Sequence, residues 1–205
     1  MKGTVKHRVI EAALDLFYER GYHGVSVDDI VQQAGTSKGG FYHNFKSKEA
    51  LLYDIHDIFI SHVLAETKQA MFQSATPIEQ MQQMLYAFTN VFDMYKRHIT
   101  VFYNESVYLK GAYEQAINDK RTQYRQLFEA VLVAGKEQQM FRAELHTTIT
   151  AMAIIGMVNW TYKWYQQDGA LTMTQITHYF NDVILHGIVT PAYTATIFFS
   201  TPQTD

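Results

Sequence analysis

Apolar positions recur at three- and four-residue spacing along most of the chain. The two-residue alternation of a half-buried strand is confined to part of the tail after Pro191. The first stripe is Val5, Val9, Ala13, Leu16 and Phe17, and it closes at Gly21. Ser26 then opens a Ser-x-x-Asp cap with Asp29, ahead of Val27, Ile30, Val31 and Ala34. Gly35 stands where a left-handed residue stops that short helix. Thr36 or Ser37 caps a third helix of barely two turns, through His43. The second and third helices are joined across only Ala34 to Ser37, which forces a sharp angle. That is helix-turn-helix geometry.

Ser47 caps a long helix to about Gln73, with Leu51, Ile55, Ile58, Phe59 and His62 inward. Thr76-Pro77-Ile78-Glu79 is a capping box with proline at the first helical position, the strongest start signal in the chain. It opens the stripe Met81, Met84, Leu85, Phe88, Val91 and Phe92. An aromatic-rich stretch from Tyr95 to Lys110 ends at Gly111. Further helices are predicted from about Tyr113 to Gln138, from Thr147 to Gln166, and from Thr172 to a point before Pro191. The predicted fold class is all-α. A three-helix unit (1–47) leads through a long helix into a bundle of five or six (48–190), followed by a tail (191–205) that holds the apolar Ile197-Phe198-Phe199.

Composition narrows the function. A hydrophobic share of 47% and an aromatic share of 14% exclude a disordered chain. With no cysteine, disulfides, thiolate metal sites and cysteine nucleophiles are excluded together. The basic N-terminus is followed by no apolar run, so it does not read as a signal peptide. The longest apolar run, Ala151 to Val158, falls short of the roughly 20 residues of a membrane span. A soluble, cytoplasmic protein with no membrane partner is expected. No G-x-S-x-G elbow, Walker loop or H-E-x-x-H occurs. His56 and His62 are spaced wrongly for one helix face, and His178 and His186 lack a carboxylate triad. No catalytic residue, metal site or cofactor is expected.

Charge leaves a nucleic-acid partner open. The net charge is −3, but residues 1–50 hold seven Lys/Arg against six Asp/Glu. DNA contact must then come from placed groups rather than a broad positive field. Ser26, Thr36, Ser37, Lys38, Gly39, Gly40, Tyr42, His43 and Lys48 are the candidates. Thr36, Ser37 and Lys38 begin the third helix, where free amides and the dipole favour phosphate. Gly39 and Gly40 keep that helix slim for close approach. Tyr42 and His43 lie a turn later, within reach of phosphates. Lys48 sits in the first turn of the next helix, a poor place for a cation unless it meets an anion. It is therefore expected at a phosphate, with Lys48→Ala lowering the salt slope by about one. Thr36 and Lys38 are expected to read base edges.

Residues 9–51 resemble the DNA-binding domain of the TetR family. Ile10, Ala12, Ala13, Leu16, Phe17, Gly21, Tyr22, Ser26, Asp29, Ile30, Ala34, Gly35, Ser37, Gly39, Tyr42, Phe45, Lys48, Glu49 and Leu51 stand in register, and AGTSKGGFYHNFKSKEAL is the specific part. Thr36 and Asn44 depart from the usual pattern. The resemblance implies a repressor that binds a palindromic double-stranded DNA operator as a homodimer. It also implies a ligand cavity in the bundle and dimerisation through the last two helices.

Phe88, Phe92, Met94, Phe102, Tyr103, Tyr108, Met152 and Met157 are candidates for apolar cavity walls, and core packing serves each of them as well. Both tryptophans, Trp160 and Trp164, lie four apart, and Asn159 and Lys163 are spaced alike. Aromatic faces beside a cation and an amide suit a ring and a phosphate. The segment resembles the acyl-CoA-responsive branch of the family, so the expected small-molecule effector is an acyl-CoA. A subunit interface with a solvated Lys163 accounts for the same ridge. An alternative effector is a lipophilic drug or aromatic compound in an efflux-pump repressor, with Glu105 or Glu114 answering a cation.

Overall fold

The computed structural model describes residues 3–196, without the side chains of Phe92, Asp93, Ala195 and Thr196. The helices are α1 (Val5–Arg20), α2 (Val27–Gln33), α3 (Lys38–Asn44), α4 (Lys48–Gln73), α5 (Pro77–Glu105), α6 (Gly111–Glu137), α7 (Thr147–Asn159), α8 (Thr161–Trp164) and α9 (Met173–Ile188). The chain forms two compact units. One contains the chain up to His62 and Tyr95–Lys120; the other contains Val63–Met94 and the chain from Arg121. Helices α4, α5 and α6 each run from one unit into the other. At the boundary on α5, Tyr95 leaves helical geometry (φ −119°, ψ 22°).

In the first unit, Ala13, Leu14, Leu16 and Phe17 of α1, Ile30 of α2, Phe41 of α3 and Leu51, Leu52, Ile55 and Phe59 of α4 are buried. Ile99, Val101 and Phe102 of α5, Leu109 and Ile117 are buried in this unit too. Each short helix begins at the hydroxyl that its sequence predicts. Ser26 and Asp29 form the reciprocal capping box, and Ser37 Oγ accepts the Gly40 N–H at 3.2 Å. Gly35, at φ +58°, closes α2 in a Schellman turn, with the Thr36 N–H reaching the Val31 carbonyl at 3.0 Å.

The second unit buries Met81, Met84, Leu85, Phe88 and Val91 of α5, Tyr124, Phe128, Val131 and Leu132 of α6, Ala151, Ile154 and Val158 of α7, and Ile176, Ile184, Leu185 and Ile188 of α9. The Thr76–Glu79 box forms as its sequence predicts, with the Thr76 N–H on Glu79 Oε2 at 3.0 Å. After α6 the chain turns so that Phe141 pairs with Val189 in an isolated antiparallel bridge. A Cβ on Gly135 would lie 2.0 Å from the Phe141 ring, so that turn requires glycine.

The aromatic-rich stretch that begins at Tyr95 is helical beyond the kink there, as the second half of α5 to Glu105, and ends in a 3₁₀ turn at Ser106–Tyr108. The helix expected from Thr147 to Gln166 is a correction, because it breaks at Trp160. The Trp160 N–H still reaches back four residues to Gly156, but the Lys163 N–H reaches back only three, to Trp160. The tail residues Ile197, Phe198 and Phe199 lie outside the described residues.

Candidate nucleic-acid interface and effector unit

The α3 helix is pinned from below and open above. Phe41 is fully buried and Phe45, just past its end, is nearly so. Lys38, Gly39, Tyr42 and His43 are exposed. At helical spacing these four share one face, so burying two phenylalanines a turn apart turns the polar residues outward together. Arg8 secures the turn from below. Its Nε donates to the Ala34 carbonyl at 3.0 Å and its guanidinium also reaches the Gly3 carbonyl at 3.2 Å. No sequence signal marks that role of Arg8.

Ser26, Gly40 and Lys48 are engaged within the protein. The Ser26 hydroxyl is committed to Asp29, and those hydrogen bonds hold the Asp29 carboxyl below its ordinary pKa. Thr36 is half-buried. Gly40 faces its own turn, where a Cβ would lie 2.5 Å from Thr36 Oγ1, so its slimness serves the turn; Gly39 is the glycine that stays open. Asn44, the second departure from the family pattern, folds back to donate to the Gly40 carbonyl at 2.8 Å.

Lys38 is paired with Asp28 at 2.9 Å, both well exposed, and that hydrogen bond raises the Lys38 pKa. No motif in the sequence marks Asp28 for this contact. Phosphates must compete with this carboxylate for the ammonium. Asp28→Asn is therefore expected to tighten operator binding by roughly two- to fivefold at low salt, as measured by fluorescence anisotropy. Weaker binding would show that Asp28 instead orients Lys38.

Lys48 departs furthest from expectation. Its Nζ donates to the Tyr22 carbonyl at 2.8 Å and to the Val25 carbonyl at 2.6 Å, and lies 4.1 Å from the centre of the Tyr22 ring. Burial pushes its pKa below the usual lysine value. The poor dipole position noted in the sequence is thus resolved by neutral carbonyls and a π face, within the link between α1 and α2. Lys48→Ala is expected to cost about 2 kcal/mol in thermal stability and to weaken DNA binding with an unchanged salt slope. A slope lower by about one would return this ammonium to a phosphate.

The same link meets the second half of α5. Glu105 Oε2 accepts the Tyr22 N–H at 3.1 Å, and Tyr108 stacks on Tyr22 with ring centres 5.3 Å apart. Lower on α1, Asp15 and Glu11 pair with Arg97. His98 beside it is pushed down to about pKa 4 by burial, which outweighs Glu11. Glu105 thus has a structural partner, which weakens the drug-sensing alternative; Glu114 is exposed.

The expected effector residues do not gather within one unit. Phe102, Tyr103 and Tyr108 belong to the first, where Phe102 is buried against Phe59 and His56. Phe88, Met157, Asn159, Trp160, Lys163 and Trp164 belong to the second. Phe88 is core, its ring 5.8 Å from Tyr124. Phe92 lies outside the described side chains. Trp160 is 61% exposed and Trp164 47%, with Lys163 Nζ 4.8 Å from the Tyr162 ring centre. The second unit also has an open groove of about 370 Å³ whose lining includes Glu66, Gln69, Gln73, Gln83 and Asn90, none of them among the expected effector residues. Ile149, Met152 and Met157 of α7 and Tyr179 and Val183 of α9 are exposed as well. Among the described residues no cluster of His, Asp or Glu is placed to hold a metal ion, and no helix is long and apolar enough to cross a membrane.

A short polar-faced helix, held by a glycine-closed turn across a three-helix core, defines a helix-turn-helix DNA-binding regulator. The chain belongs to the TetR family. Residues 9–55 match the model for bacterial regulatory proteins of the tetR family, and residues 74–188 match the tetracyclin repressor-like C-terminal domain. It is 26% identical over 181 residues to the HTH-type transcriptional repressor KstR2 of Mycobacterium tuberculosis, covering 88% of this chain and 90% of that one. The solved structure of that ketosteroid transcriptional regulator superposes with a TM-score of 0.82 over 90% of this chain and 95% of that one. PfmR of Thermus thermophilus is 28% identical, with a TM-score of 0.82 over 87% of this chain and 97% of that one. The fold is shared by AibR, solved with isovaleryl coenzyme A and operator DNA, at 24% identity and a TM-score of 0.77 over 90% of this chain and 98% of that one. These relatives are regulators, not enzymes. The chain is a ligand-responsive transcriptional repressor that binds operator DNA and a small-molecule effector as a homodimer.

Proposed function

We propose that this repressor works in the cytoplasm, holds a palindromic operator, and releases it on binding an acyl-CoA. The observation that carries the effector reading is that Trp160, Lys163 and Trp164 all stand exposed within one short segment, aromatic faces suited to a purine and a cation suited to a phosphate. AibR supports it, as a protein of this fold solved with an acyl-CoA. In the operator complex, Thr36, in the turn just ahead of α3, and Lys38, at its start, read base edges, while Ser37, Tyr42 and His43 meet phosphates. The exposed apolar residues of α7 and α9 form the subunit interface, where Gly156 and Gly187 leave room for close approach.

Release is a shift between two populations of the dimer, one with its recognition helices about 34–36 Å apart and one with them wider. The effector acts through the helices common to both units, chiefly α5, whose far half is fixed to α1 by Arg97 and to Tyr22 by Glu105. A coupling of about 1–3 kcal/mol is the usual scale. Native mass spectrometry of the protein from its own cytoplasm, followed by release assays with what it carries, tests the effector. A co-purified CoA thioester that frees the DNA is expected; a lipophilic cation doing so would replace it.

A further inference from the structure

The second unit buries more polarity than its fold requires. Thr177 and Asn181 lie one turn apart on α9, 0% and 1% exposed. Thr177 is well matched, with its Oγ1 2.7 Å from the Met173 carbonyl and 2.6 Å from Thr89 Oγ1 on α5. Asn181 is not. Its Nδ2 donates to the Thr177 carbonyl at 3.2 Å, which fixes the amide's orientation because that carbonyl can only accept. Its Oδ1 is then left, buried, without a donor among the described residues. Thr161 at the start of α8 is also fully buried, and its Oγ1 likewise lacks a partner.

A buried acceptor without a donor destabilises a fold, whereas an apolar side chain of the same shape in its place is close to neutral. Around Asn181 the inward positions of α9 are Ile176, Ile184, Leu185 and Ile188, so leucine would suit the pattern. An unmet amide at such a position calls for a partner that arrives from outside the chain. We propose that Asn181 Oδ1 is an effector-recognition group, accepting a hydrogen bond from an O–H or N–H of the bound molecule. The inference rests on the effector reading above and deepens it. In a CoA thioester the donor is an amide N–H or hydroxyl of the pantetheine arm, or a hydroxyl on the acyl group.

Asn181→Leu separates the outcomes. Without ligand, the variant is expected to melt about 2 °C or more above wild type, because the unmet acceptor is gone. Isothermal titration then uses isovaleryl-CoA and 3-hydroxyisovaleryl-CoA. A loss of roughly three- to tenfold for both places the donor on the pantetheine arm, and a loss for the hydroxylated thioester alone places it on the acyl group. Asn181→Thr, which can still accept, is expected to keep part of the affinity and stands in if the leucine variant does not fold. A lower melting temperature for Asn181→Leu would mean that the amide is already satisfied, by a buried water for instance, and would overturn the proposal. Unchanged affinity for both thioesters overturns Asn181's role alone. A wild type that binds neither thioester overturns the acyl-CoA reading, and recognition of CoA thioesters with it.

Discussion

Lys38→Ala will weaken operator binding by roughly thirtyfold or more while barely changing binding to random duplex. Lys38 is on the exposed face of α3, ahead of Gly39, whose missing side chain leaves it clear to reach a groove. A lost base contact costs about 1–3 kcal/mol, and a homodimer loses it at both half-sites. Phe41, buried beneath, keeps α3 in place in the variant, so the loss reports the contact and not the fold. Competitive anisotropy with operator and random duplex at fixed salt measures the ratio. An equal loss on both would make Lys38 a phosphate contact, leaving Thr36 as the remaining candidate for base readout.

Stability will fall as pH drops from about 6.5 to about 4, and His98 will account for about 3 kcal/mol of that fall. Half-buried on α5 beside Arg97, this imidazole stays neutral in the folded protein down to about pH 4. In the unfolded chain it takes up its proton near 6.5. Between those values the unfolded state holds the extra proton. The contribution is therefore fully present above the upper value and is lost on descending toward the lower one. Glu11 works in the opposite sense, but burial outweighs it. Denaturant unfolding of wild type and His98→Asn across this range isolates the effect, since asparagine does not titrate. Parallel curves would show that His98 is solvated in the folded state.

The parts of this structure legible in the sequence are those governed by local rules. Caps at Ser26, Ser37, Thr76 and Thr172, and the left-handed stop at Gly35, depend on neighbours three or four residues away, and each forms as its motif predicts. Whatever depends on a distant partner was hidden. Lys48 looked unsatisfied because its partners, the carbonyls of Tyr22 and Val25, lie more than twenty residues upstream. Asp28 belongs to no motif in the sequence, and only the folded turn brings it to Lys38.

The effector side was harder still. Aromatic and methionine stripes are written alike for core, cavity and interface, so Phe88 and Phe102 could not be sorted by periodicity. Phe102 proves to be packed among the helices that carry the DNA-binding face, and Trp160 stands open to solvent. The pairing of Trp160 with Trp164 assumed one continuous helix. The ladder shortens at Trp160, and nothing in the local residue types gives that change of phase away. Asn181 escaped notice because a lone asparagine in an apolar stripe gains meaning only once its neighbours are known.

Everything proposed for this repressor depends on two copies of α3 entering successive major grooves on one side of a duplex. Selection of bound sequences from a random duplex library, using the purified dimer at modest ionic strength, tests this most directly. Enrichment of an inverted repeat with half-site centres about 10 base pairs apart, or a multiple of that, is the predicted result. A monomer in solution and a selected pool no different from the starting library would contradict it.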